Sequence, residues 1–74
     1  MIPAVGQRWR YQDSTNDYVA QIIDWIEVYQ CWKLSIVDTK LGPCTNPIYS
    51  KLRDGVGWAW TYLEGQDCLI KDRQ

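Results

Sequence analysis

The stretch "YVAQIIDWIEVYQCWKLSIV", residues 18–37, decides the fold, because it runs without a glycine, proline or asparagine and two periodicities compete in it. Val19, Ile22, Ile23 and Ile26 fall at i, i+3, i+4 and i+7, the spacing of one helix face. Asn16 or Asp17 would serve as its N-cap, so a helix over about 18–30 is one reading. Against it, Val28, Tyr29 and Trp32 fall on the side that such a helix needs polar. β-Branched and aromatic residues, which suit a pleated surface, dominate the segment. The pattern therefore favours two antiparallel strands, "YVAQIIDW" (18–25) and "VYQCWKLSIVD" (28–38). The second places Trp32, Leu34 and Ile36 on one face and Cys31, Lys33 and Ser35 on the other. The reversal is expected near Asp24 to Glu27, where turn chemistry is poor.

Working outward, "QRWRY" (7–11) alternates Gln7, Trp9 and Tyr11 against Arg8 and Arg10. Breaks fall at residues 13–17, 42–47, 54–55 and 65–66, all rich in turn-forming residues. "IYSKLR" (48–53) and "GWAWTYL" (57–63) flank Asp54-Gly55, a favoured hairpin signal. In the second of these, period two sends Trp58, Trp60 and Tyr62 to one face. "CLI" (68–70) is expected to add a short closing strand. Five or six short strands at this spacing predict a small all-β, SH3-like antiparallel barrel. An α+β fold with a helix at about 18–30 is the alternative. A chain of 74 residues makes a single domain, 1–74.

Composition narrows the chemistry. Eight basic and nine acidic side chains give a net charge of −1, without the clustered positive excess by which nonspecific nucleic-acid binders release counterions. Histidine is absent, and with it the commonest general acid–base. Ser14, Ser35 and Ser50 have no nucleophile-elbow context. We therefore expect no enzyme, no cofactor and no metal. Cys31, Cys44 and Cys68 are odd in number and lack C-x-x-C spacing, which fits reduced thiols better than a disulfide framework or a zinc site. Of these, Cys31 lies on one strand face with Lys33, although a small half-buried hydrophobe is the plainer reading. The opening residues lack the basic and apolar regions of a signal peptide, and no run reaches a membrane span of about 20 apolar residues. The expectation is a soluble, cytoplasmic protein without a membrane partner.

The aromatic residues carry the functional argument. Five tryptophans and five tyrosines each bring about 150–250 Å² to bury, more than so short a chain can hide. Rings left outside, next to arginine, suit protein contacts, where Trp, Tyr and Arg dominate binding energy. They also suit stacking on a flat ligand while a guanidinium holds phosphate. An Asp54-Gly55 hairpin would bring Arg53 beside Trp58, so Arg53, Trp58 and Tyr49 form the preferred binding patch, with Arg8 and Arg10 as further cations.

Two resemblances add to this reading. The opening "VGQRWRY" followed by "YVAQII" resembles the start of SH3-like or Tudor-like barrels, where a glycine-preceded first strand leads through a polar loop into an amphipathic second. The closing "WTYLEGQD" (60–67), after "GQRWRY" (6–11), is similar to small β-rich proteins of phages and prophages that finish on a tryptophan, a Tyr-Leu pair and a Gly-Gln turn. The matching residues are Trp60, Tyr62, Leu63, Gly65 and Gln66. That resemblance implies a phage origin, the cytoplasm of a bacterial host, and a non-catalytic binder that inhibits or sequesters a host component. The leading expectation is a protein-binding inhibitor or adaptor that forms a homo-oligomer. A protein holding a nucleotide-like ligand at a subunit interface comes second, and single-stranded nucleic-acid binding third.

Overall fold

A computed structural model describes residues 2–42, 46–52 and 59–63. They form five antiparallel strands, β1 (Arg8–Gln12), β2 (Asp17–Ile26), β3 (Cys31–Leu41), β4 (Ile48–Ser50) and β5 (Trp60–Leu63). All belong to one sheet in the order β4-β3-β2-β1-β5. The contested stretch is thus strand, not helix. Its even-numbered residues Tyr18, Ala20 and Ile22 are buried on one face, where they meet Trp9, Leu34 and Leu52. A helix would have spread this apolar set around its axis, whereas period two delivers it to a single core.

The sheet is rolled into a small SH3-like barrel. Ile48 on one outer strand and Trp60 and Tyr62 on the other pack against the same buried cluster. A flat sheet would hold those strands about 19 Å apart, at roughly 4.8 Å per strand. The curvature has a visible cause in the long β2–β3 ladder, whose register shifts between Asp17 and Tyr18, between Val19 and Ala20, and between Ile22 and Asp24. Each such irregularity bends the strand and increases its right-handed twist.

Two expectations need correction. The β2–β3 reversal lies at Glu27–Gln30 rather than at Asp24 to Glu27. Cross-strand pairing of Trp25 with Trp32, their rings 4.7 Å apart and edge to face, prolongs the ladder past Asp24. Glu27 then anchors the turn. Its carbonyl accepts from the Gln30 backbone N–H at 3.3 Å and its carboxylate accepts from Trp25 Nε1. Gln30 closes the turn at φ 54°. The second correction concerns the expected hairpin between segments 48–53 and 57–63. β4 pairs with β3 and β5 pairs with β1, so the two strands occupy opposite edges of the sheet. Matching aromatics decide this, since Trp9 lies opposite Tyr62 and Tyr11 opposite Trp60. Such cross-strand pairs are worth about 0.2–1 kcal/mol each beyond alanine. Residues 68–70, expected to close the sheet, lie outside the described residues.

The polar side chains do structural work at both ends of β1. Gln7 Oε1 accepts from the Ala4 backbone N–H and from Trp9 Nε1, and Gln7 Nε2 donates to the Ile2 carbonyl. In the β1–β2 turn, Asp13 accepts from the Thr15 and Asn16 backbone N–H groups at 2.8 and 2.7 Å. It also accepts from the Tyr11 hydroxyl at 2.6 Å. Asp13 therefore organises a turn, an Asx-type cap of the kind this residue favours.

The Tyr11 hydroxyl, followed by the Thr15 N–H, holds the Asp13 carboxyl far below the usual carboxylate range. The same hydrogen bond raises the Tyr11 phenol. A depressed carboxyl contributes stability that is complete above its unfolded value near pH 4 and is lost as pH falls through the folded one. Urea midpoints should accordingly decline as pH drops below about 4, and Asp13→Asn, which can keep the turn's acceptor oxygen, should flatten that decline. An acid limb identical to wild type would show that Asp13 is not its source. At the alkaline end the sign reverses. Stability from the neutral Tyr11 phenol is complete below about pH 10 and lost above it.

Candidate binding surface

Among the described residues, six rings pack in or against the buried core. Tyr11 stacks on Tyr18 at 5.2 Å and tilts against Trp60 at 5.0 Å, while Trp60 also meets Tyr18 edge to face. Trp9, fully buried, meets Tyr62 edge to face at 5.5 Å. Trp60 and Tyr62 share a face as expected. They are half-buried against the core, so among the described residues β5 does not present an open aromatic row.

The surplus emerges elsewhere. In the β2–β3 hairpin, Val28 is 80% and Tyr29 72% exposed, with Trp25 at 37% beside them. Tyr49 on β4 is 57% exposed and lies opposite Lys33. A turn reading Glu-Val-Tyr-Gln contains none of the usual turn formers. Apolar side chains stand there although neither the core nor the turn geometry needs them. Apolar and aromatic residues in a segment without turn formers are the sequence signal for this surface, and no arginine adjoins them in the chain.

The residues expected to form the site are dispersed. Tyr49 is at the surface. Arg8 and Arg10 stand on β1, separated from β4 by β3 and β2. Arg8 Nε donates to Gln21 Oε1 at 3.1 Å. Arg10 makes a two-pronged contact with Asp17, Nε to Oδ1 at 3.0 Å and Nη2 to Oδ2 at 2.9 Å. Both cations are thereby tied to β2, across which the register sets them (Arg8 to Gln21, Arg10 to Val19). Arg53 and Trp58 lie outside the described residues, as do Cys44 and Cys68. Cys31 is a free, half-buried thiol.

Near Tyr49 the outer face is concave. A shallow groove is lined by Ile23, Lys33, Ser35, Asn46 and Pro47. Lys33 and Ser35 are two apart on β3 and so point to the same side. Asn46 is fixed from below, since its Oδ1 accepts from the Ile36 backbone N–H at 3.1 Å. Asp24, the cross-strand neighbour of Lys33, directs Oδ1 to the Trp25 N–H at 2.8 Å.

Compared with known proteins, the chain matches no family model, no curated protein and no solved structure. Among the described residues there is no group of three metal-ligating side chains, and no helix is long and apolar enough to cross a membrane.

Proposed function

We propose that the chain is a non-catalytic protein-binding module, a phage-type inhibitor or adaptor acting in the bacterial cytoplasm, and that it meets its partner through the β2–β3 hairpin. The observation that carries this reading is the exposure of Trp25, Val28 and Tyr29 within five residues of one another. Apolar side chains held in solvent at a hairpin tip are a contact surface awaiting cover, and Trp and Tyr are the residues that anchor such contacts. The same surface serves self-association into a homo-oligomer. The nucleotide-like alternative has less support, because Arg10 would have to leave a bidentate carboxylate to reach a phosphate.

The paired substitution Val28→Ser with Tyr29→Ser tests the proposal. Both side chains are exposed, so stability should shift by no more than about 0.5 kcal/mol per site. Losing two anchors at about 1 kcal/mol or more each should weaken self-association and partner capture by at least about tenfold. Sedimentation equilibrium and capture from host extract read the two effects. A folded variant that associates and captures as the wild type does would refute the assignment.

A further inference from the structure

We infer that the groove lined by Ile23, Lys33, Ser35, Asn46 and Pro47 receives an aspartate or glutamate side chain of the partner polypeptide. This inference rests on the protein-binding reading and specifies the partner's chemistry. Among the described residues, three side-chain hydrogen-bond donors line the groove. Lys33 brings an ammonium and Ser35 a hydroxyl. Asn46 brings its amide NH₂, since its oxygen is committed to the Ile36 N–H and a backbone donor can be met only by that oxygen. Among the described residues no carboxylate lines the groove, and Asp24, the register partner of Lys33, engages the Trp25 N–H through Oδ1. A lining that brings one cation and two neutral donors is complementary to a carboxylate, whose two oxygens offer about four acceptor positions. Ile23 and Pro47 supply apolar walls for the methylene stem, and exposed Tyr49, opposite Lys33 on β4, extends the surface a bound chain would cross.

The test is an amide chemical-shift titration of the intact protein with a glutamate-rich hexapeptide, its glutamine counterpart and inorganic phosphate, all at one ionic strength. The glutamate peptide should move the amides of Ile23, Ser35 and Asn46. Lys33→Met, which keeps the stem and removes the charge, should weaken it at least about tenfold, the scale of a charge-assisted hydrogen bond. Lys51→Met, an equal change of net charge at an exposed position, should leave affinity unchanged, and the glutamine peptide should not bind. The inference is overturned if Lys33→Met binds as wild type, if Lys51→Met weakens binding equally, or if phosphate reproduces the shifts at equal affinity. The Val28→Ser/Tyr29→Ser variant should retain the peptide shifts whether or not it retains a protein partner, so failure of the hairpin reading is distinguished from failure of this one.

Discussion

Trp9→Ala leaves most of the chain unfolded at room temperature. Trp9 has no solvent exposure and occupies the centre of the rolled sheet, paired with Ala20 on one side and Tyr62 on the other. Its indole N–H donates to Gln7 Oε1 at 3.1 Å, and Gln7 in turn holds the Ile2 carbonyl and the Ala4 N–H. Truncating a buried tryptophan costs about 3–5 kcal/mol in transfer and cavity terms. A single core in a domain this small rarely supplies more than about 3–5 kcal/mol in total, so one substitution removes nearly all of it. Trp9→Phe keeps an edge toward Tyr62 and loses the indole N–H, and should remain folded at a reduced urea midpoint. Circular dichroism with urea titration reads both variants. A cooperative Trp9→Ala transition near the wild-type midpoint would mean that the core is organised around another residue.

Arg10→Met should cost about 2 kcal/mol, below the roughly 3–5 kcal/mol for breaking a fully buried ion pair. The discount reflects side-chain exposures of 20% for Arg10 and 14% for Asp17, which leave some solvation in place. The setting still matters. Val19, fully buried, lies between Arg10 and the buried Asp38 on that face of the sheet, so an abandoned Asp17 carboxylate loses its partner beside apolar surface. Arg10 has contacts beyond Asp17, and a double-mutant cycle with Asp17→Asn isolates the pair from them. We expect a coupling of about 1–2 kcal/mol in urea unfolding. Coupling below about 0.3 kcal/mol, the scatter of independent sites, would reduce the bidentate contact to surface decoration.

What could be read in the sequence was what period two governs. Val19 to Ile23 and Cys31 to Ile36 declare pleated strands through β-branched and aromatic content, and the inward face of Trp32, Leu34 and Ile36 follows from alternation. Long-range pairing is another matter. Asp54-Gly55 is a strong local signal for joining its flanks, yet β4 and β5 lie at opposite edges, because Trp9 and Tyr11 offer Tyr62 and Trp60 better cross-strand partners than β4 does. The three irregularities that curl β2 against β3 leave no compositional trace; Val37 and Ile23, which two of them skip in the register, look like any strand residue. Register likewise decides which side chains are already committed. The arginines looked available beside aromatic rows, and only the pairing of β1 with β2 shows Arg8 spent on Gln21 and Arg10 on Asp17. Tyr49 was legible as an outward residue, whereas Val28 and Tyr29 passed for strand because nothing near them is a turn former.

The most direct test places a photoreactive benzoylphenylalanine at Tyr29, at the hairpin tip, and in a second protein at Thr15, an exposed position in the turn at the other end of β2. Illumination in host extract should yield covalent adducts from position 29 and none above background from position 15. Adducts from both positions alike, or from position 15 alone, would contradict a partner seated on the β2–β3 hairpin.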